Sequence, residues 1–283
     1  MAGDYRIDVM TETDVATAVH WAAAEGWNPG NRDAACFRAV DPQGFLGGYL
    51  DGRLITSISV VNYDPAFSFL GFYIAHPDHR GQGYGYRLWQ AGMKHAGDRL
   101  VGLDGVVAEQ ENYKRSGFVL AYRNIRYGGA VTVIPDAAPG IEIQAVTEAG
   151  PQVAALDRTV FPADRVSFLE DWFSAPGHLA RAAYRDGALA GFAVARPCRS
   201  GWKIAPLVAA DRAVAETLLA DLLPAVGMGA EIYLDTPEPN PQATALAEAL
   251  GLAPGFETAR MYTGPAPALD IPRIFGVTTF ELG

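Results

Sequence analysis

Apolar and polar positions along the chain follow two periods, one for strands and one for helices. The run FSFLGFYIA, ending near Ala75, is apolar, aromatic and β-branched, as a buried strand is, and Pro77 cannot continue it in a ladder. Leu88, Ala91, Gly92 and His95 then recur at helical spacing, which predicts a helix from Tyr84 to Ala96. Helical stretches are also expected at Asp14–Glu25 and Pro151–Val160. Asp51-Gly52 and Asp186-Gly187 each sit between apolar strands, where Asp-Gly signals a hairpin because both turn positions need positive φ.

The pattern occurs twice. IDVMTE (7–12) returns as IQAVTE (143–148), and YLDGRLI (49–55) as YRDGALA (184–190). VGLDG…YKRSGF…RYGG (101–129) returns as IYLDT…AEALGL…RMYTG (232–264), in the same order and at nearly the same offset. A period this long marks a duplicated unit, not a solenoid. Each unit reads as strand, helix, hairpin, long strand, helix, short strand ending in Leu-Asp (103–104; 234–235), helix, glycine and last strand. That order predicts an α/β fold of the α+β kind, with a sheet of mixed direction. The join is GGAVTVIPDAAPG (128–140), which places one domain at 1–130, a second at 140–264 and a tail at 265–283.

Composition narrows the class. The 283 residues are about two domains' worth, and 49% hydrophobic residues suffice for real cores. A net charge of −10 argues against a nucleic-acid partner. It is compatible with an amine substrate, although the plainer reading of an acidic chain is solubility alone. Cys36 and Cys198 read as two reduced thiols. With no signal peptide and no apolar run of membrane-spanning length, the expectation is a cytoplasmic protein without a membrane partner, monomeric or homodimeric.

The chemistry lies in HPDHRGQGYGYRLW. Arg80, Gly81, Gln82, Gly83, Tyr84, Gly85 and Tyr86 stand between the long strand and a helix start. A helix N-terminus offers unpaired N–H groups and partial positive charge. Glycines let a phosphate reach the backbone, and Arg80 adds a cationic fork. The result is a cradle for a pyrophosphate. A dinucleotide fingerprint fits less well, because its third glycine comes one place early and Tyr86 stands where it belongs. Asp104 lies at about the right distance for a ribose contact, which leaves a nicotinamide oxidoreductase as a competing reading. A bare glycine turn without ligand is another. His76 and His79 have H-x-x-H spacing but no further ligands nearby, so no metal is expected.

Arg80, Gly83 and Gly85 form R-x-x-G-x-G, which resembles the acyl-CoA loop of the GNAT superfamily of N-acyltransferases. NYKRSGF (112–118) resembles the same family's tyrosine followed four residues later by Gly-Phe. The resemblance covers about residues 5–128 in full and 141–264 weakly. It is similar to the tandem arrangement in which a degenerate second copy follows the first. It implies acetyl-CoA as acyl donor, a small amine as acceptor and no metal. Phe72, Tyr73 and Ile74 would meet pantetheine through their backbone, and the loop from Gly81 to Tyr86 the pyrophosphate. Tyr113 would be the general acid at the leaving thiolate, and Asn112 a neighbouring cofactor contact. A plainer role for Tyr113 is packing on the sheet. For the amine's proton the chain offers Glu25, Asp104 and Glu109, although the plainer reading of each is a solvated or capping carboxylate, and Trp27 is placed beside Glu25 near the acceptor. The family's usual asparagine position, further upstream, is not matched. A non-catalytic acyl-CoA-binding protein is the alternative.

In the second unit VAADRAVAETLL (208–219) replaces the loop. It has no glycine, and Asp211 and Glu216 would repel phosphate. The tyrosine before Gly251 is gone too. This unit is expected to be a packing partner and a wall of the acceptor pocket. The end, RIFGVTTFELG, reads as a strand over Ile274–Phe280 in need of a sheet edge. Docked between the domains, it would bring Glu281 and the Gly283 carboxylate towards the acceptor cleft; the plainer reading is a structural tail.

Overall fold

The computed structural model describes residues 3–283. The first repeat runs β1 (Tyr5–Val9), α1 (Glu12–Ala24), α2 (Asp33–Val40), β2 (Phe45–Leu50), β3 (Arg53–Asn62), β4 (Phe67–Ala75), α3 (Tyr84–Ala96), β5 (Leu100–Val106), α4 (Gln110–Arg115) and β6 (Val119–Ala130). The second runs β7 (Ile141–Val146), α5 (Pro151–Val160), α6 (Val166–Ser174), β8 (Leu179–Arg185), β9 (Ala188–Pro197), β10 (Trp202–Ala209), α7 (Arg212–Val226), β11 (Glu231–Pro237), α8 (Pro241–Ala249) and β12 (Ala253–Tyr262), and β13 (Ile274–Gly276) follows. Segment 131–138 carries neither helix nor strand.

Local signals set most boundaries. Thr11 and Asp14 close a reciprocal capping box that starts α1. The hairpin turns hold Asp51 and Gly52 at φ of 49° and 80°, and Asp186 and Gly187 at 52° and 77°. Where the sequence reading expected one helix after the opening strand of each unit, the structure has two. The extra pair, α2 and α6, lack a side-chain cap. They are held by each other: Phe37 of α2 stacks on Trp172 of α6, with ring centroids 5.8 Å apart and planes 14° apart. Packing across the repeats makes these helices, and no local pattern announces it.

All strands join one mixed sheet in the order β1-β2-β3-β4-β5-β12-β6-β11-β10-β9-β8-β7, with β13 on β10. The repeats therefore exchange their last strands. β12 of the second lies beside β5 of the first, and β6 of the first beside β11 of the second. Between them β6 and β12 pair with each other.

The exchange is clasped by two ion pairs related by the repeat. Arg260 of β12 binds both oxygens of Asp104 on β5, at 3.0 and 2.7 Å. Arg126 of β6 binds both oxygens of Asp235 on β11, at 2.7 and 2.8 Å. The duplicated Leu-Asp and arginine motifs are this reciprocal clasp. All four side chains are buried, and each fork pairs bidentately, the geometry in which a buried ion pair best offsets its desolvation. The largest apolar core likewise spans both repeats and the tail, from Phe37 and Phe72 through Trp172 and Phe192 to Phe280 and Leu282.

Candidate active site

β4 and β5 run parallel and hydrogen-bonded from Phe67/Leu100 to Leu70/Leu103, then part. At the parting β4 bulges, because its register with β3 slips between Ser59–Gly71 and Ser57–Ile74. Phe72 sits in the bulge at φ 47°, a conformation a β-branched or aromatic residue holds only when its surroundings impose it. The bulge leaves β4 from Gly71 onwards without a strand partner on the β5 side. A cleft of about 590 Å³ fills the gap.

One end of the cleft is the glycine loop. Gly81 and Gly83 have φ of 72° and 82°, and a Cβ on either would meet no atom within 4 Å. The loop thus presents bare backbone to open space, and Gly83 caps α3 with no side-chain hydrogen bond to the helix's first amides. These features fit a pyrophosphate. Arg80, Gly81, Gly83, Gly85 and Tyr86 line the cleft. Gln82 instead turns its amide to the Asp78 carbonyl at 3.0 Å, and Tyr84 packs on Tyr5 at 4.7 Å. Arg80 is fastened by Nε to the Ala75 carbonyl at 2.9 Å and by Nη2 to Glu25.

The middle is walled by Phe72, Tyr73 and Ile74 of β4 and by Leu103, Asp104 and Val106 of β5. Tyr113 of α4 also lines it. Its ring stacks on Trp89 at 5.7 Å and lies over Gly105, where a Cβ would come within 2.7 Å. Gly105 is therefore what lets the phenol reach the slot. Burial and the nearby Glu109 raise the Tyr113 hydroxyl above its ordinary pKa, so it stays protonated at neutral pH.

The far end gathers Trp27, Phe256, Thr258, Phe280 and Glu281. Phe256 and Thr258 come from the exchanged strand and Phe280 and Glu281 from the tail, so the second repeat walls the first repeat's cleft. The tail is shorter as a strand than the sequence suggests: β13 ends at Gly276. Glu281 is only 2% exposed, and both of its carboxylate oxygens are buried without a hydrogen-bond partner. Its main chain presses on Gly71, where a Cβ would stand 2.1 Å from the Glu281 carbonyl oxygen.

Other sequence candidates go elsewhere. Gly283 does not line the cleft; Arg165 donates to its main-chain oxygen at 3.0 Å. Asp104 is on the wall, but Arg260 occupies both its oxygens and Asn124 adds a bond at 2.8 Å. Burial pushes its carboxyl up while the Arg260 fork pulls it back. Glu25 stands at the cleft mouth, paired with Arg80. Asn112 lies on the exposed side of α4, bonded to Glu109 at 2.7 Å, and is not brought to the cleft. His76 and His79 have ring centroids 6.0 Å apart, and no metal-ligand cluster occurs among the described residues. No helix among them is long and apolar enough to cross a membrane.

In the second repeat the loop position has an acid of its own. Asp211 caps α7 and accepts from the Val214 N–H at 3.0 Å, so a carboxylate sits where an anion would bind. Missed altogether by sequence reasoning were Gly71, Gly105, Phe256, Phe280 and the two clasp arginines. Only the arginines had a signal, in the repeated RYGG and RMYTG.

Residues 11–118 match the acetyltransferase (GNAT) family, and residues 153–276 match an acetyltransferase (GNAT) domain. A holothin acyltransferase of a Pseudoalteromonas strain is 32% identical over 263 residues, 93% of this chain and 89% of that one. The crystal structure of a putative acetyltransferase from Pyrococcus horikoshii superposes with a TM-score of 0.82 at 22% identity, over 99% of this chain and 96% of that one. A tandem GNAT protein from the clavulanic acid biosynthesis pathway superposes with a TM-score of 0.66 at 17% identity, over 93% of this chain and all of that one. With two matched domains in order and a homologous acyltransferase along nearly its whole length, the chain belongs to the GNAT family of acyltransferases, in its tandem form.

Proposed function

We propose that the protein transfers an acyl group from acyl-CoA, acetyl-CoA in the simplest case, to the amino group of a small acceptor. The reaction takes place in the first repeat. One observation carries this: a cleft runs from the glycine loop, past the unpartnered edge of β4 and the Tyr113 phenol, to an aromatic end walled by the exchanged strand and the tail. Residues 1–130 are then the catalytic domain, 140–264 a degenerate copy and 265–283 the tail.

Acyl-CoA supplies an activated thioester carbonyl; the chain's own residues do the rest. Amides of the loop and of the α3 N-terminus hold the pyrophosphate. The free main-chain edge at Phe72–Ile74 takes pantetheine and offers an N–H to the carbonyl oxygen as charge grows on it. Tyr113, neutral in its buried seat, keeps its proton available to hydrogen-bond to the departing thiolate and to protonate it as the C–S bond breaks. The second repeat has no role in donor binding, because Asp211 occupies the corresponding helix terminus.

The test is thiol release from acetyl-CoA with a panel of small amines that includes holothin, the compound named for the homologous enzyme, together with product mass. The expected result is amine-dependent release and a product heavier by one acetyl group. Acyl-CoA binding without transfer to any amine would favour the non-catalytic reading.

A further inference from the structure

Between α1 and α2 the chain makes a loop, residues 25–32, with three attachments. At its start Glu25 pairs with Arg80 of the glycine loop. Trp27 then lines the aromatic end of the cleft. From Asn28 onwards the loop lies against the β9–β10 hairpin of the second repeat. The Asn28 side chain donates to the Ser200 carbonyl at 2.8 Å and accepts from the Ser200 N–H at 2.9 Å. The Arg199 N–H donates to the Pro29 carbonyl at 3.1 Å and the Asn31 N–H to the Pro197 carbonyl at 3.0 Å, and Gly30 bridges Cys198 antiparallel. Asn28 holds this place at φ 52°, a left-handed conformation that asparagine tolerates better than most residues.

The repeat-related contact is of another kind. After α5, Phe161 meets Tyr63 and Phe67 of the β3–β4 hairpin by ring edges, with centroids 4.9 and 5.6 Å apart. Aromatic packing tolerates small slides. Hydrogen bonds weaken steeply with misalignment, so the bonded loop of the first repeat is fixed in register.

Trp27 is also held from beneath. Its N–H donates to the Ala22 carbonyl at 3.0 Å, and its carbonyl accepts from Arg126 Nη1 at 2.8 Å and from Lys203 Nζ at 3.1 Å. Both cations are buried, at 5% and 2% exposure. Arg126 has Asp235 as its counter-ion. Lys203 forms no ion pair among the described residues, and Asp235 and Glu281 act on it only across a distance. A buried ammonium without a paired carboxylate is costly, and an apolar side chain of similar length would be the more stable occupant. Such a side chain could not hold the Trp27 carbonyl. Stability therefore gives no account of Lys203, whereas the placing of Trp27 does.

We propose that Lys203 and Asn28 are positioning residues for the acceptor: they fix the loop so that Trp27 stands as a preformed wall, and through them the second repeat sets acceptor affinity without touching the donor. This rests on the acyl-transfer reading above, which puts the acceptor at the Trp27 end. A wall set in advance spares the acceptor the cost of ordering it.

The experiment compares Lys203→Met and Asn28→Ala with the wild type, as full chains near neutral pH. Thiol release is followed with acetyl-CoA and with holothin and tryptamine as probe amines. Each variant should raise the amine KM about 3- to 10-fold, the span of one lost hydrogen bond, and leave the KM for acetyl-CoA unchanged. Lys203→Met should melt no lower than the wild type while it loses amine affinity, a combination that a merely structural role would not produce. The emission of Trp27, taken as the difference from the same protein carrying Trp27→Phe, should shift in both variants. An unchanged amine KM in either variant, a matching rise in the acetyl-CoA KM, or a Lys203→Met protein that melts well below the wild type overturns the proposal. If the wild type turns over neither amine, the Trp27 emission decides, and an unmoved spectrum in both variants overturns it. A wild type with no acetyl-CoA-induced melting shift overturns the acyl-transfer reading instead, and the emission difference still judges the placing of Trp27 by itself.

Discussion

Replacing Arg260 by methionine removes one half of a clasp and leaves the other half charged. In the native protein the Arg260 fork meets both Asp104 oxygens at 3.0 and 2.7 Å, and the two side chains are 5% and 0% exposed. Methionine refills much of the apolar volume but brings no charge. Removing one partner from a buried pair costs about 3–5 kcal/mol, because the remaining ion has lost both water and partner. At roughly 2–4 °C per kcal/mol for a chain of this size class, the melting temperature should fall by about 6–20 °C near pH 8. The loss has a pH signature. Burial already pushes the Asp104 carboxyl up, and without Arg260 it rises further. Its folded pKa then exceeds its unfolded one, so the folded variant holds a proton that the unfolded chain has released. Its stability therefore falls as pH rises through that window and recovers towards about pH 5. Asp104→Asn in the same chain removes the stranded charge, and the double variant should regain at least half the loss. Thermal unfolding of the four proteins from about pH 5 to pH 9 gives the double-mutant cycle. An Arg260→Met deficit below about 0.5 kcal/mol, the size of an ordinary surface change, or one that grows as pH falls, would refute the clasp.

Gly83→Val forces a β-branched residue to φ near 82° and puts its side chain over the loop; it should abolish the melting shift induced by acetyl-CoA, as read by differential scanning fluorimetry. Tyr113→Phe should leave that shift intact and lower kcat by roughly 10²- to 10⁴-fold in a thiol-release assay, and an unchanged kcat would assign protonation of sulfur to another group. Burial, with Arg126 and Arg196 beside it, pulls Lys203 down to about 8, so the folded protein gives up that proton before the unfolded chain does at 10.5. Stability relative to Lys203→Met should therefore rise between about pH 8 and pH 10.5, and denaturant titrations that show a fall would reverse the sign of this argument.

The sequence spoke clearly where one residue answers to its immediate neighbours. The hairpins follow from Asp-Gly, the start of α1 from Thr11 and Asp14, and the loop before α3 from its alternating glycines. The duplication was legible as repeated motifs, but the meaning of Leu-Asp and of its distant arginine was not. Asp104 read as a substrate or ribose contact because its partner lies 156 residues away, on a strand that only the exchange brings near. The acceptor end was legible least. Gly71 and Gly105 look like ordinary strand glycines until the tail and the Tyr113 ring are seen to lie against them. The idea that the tail nears the cleft came from an unpaired strand. That Glu281 and not Gly283 lines the cleft goes with Arg165, which holds the main-chain oxygen of residue 283 and which no local pattern links to it.

The strand exchange sets a timetable for synthesis. β5 carries half of the slot, yet its neighbour β12 lies some 156 residues further along, and β6 meets β11 only across 109. At the roughly 5–20 residues per second of translation, the β5 edge waits on the order of 10–30 s for its partner to emerge. Throughout that interval a first repeat that has otherwise collapsed displays an open, apolar strand edge, the kind of surface that recruits strands from other chains. A nascent chain is thus most exposed to misassembly late, after its donor loop exists and before its sheet can close. Slow codons between β11 and β12 would lengthen that exposure, and a chaperone that shields strand edges would act on this protein during translation more than after it.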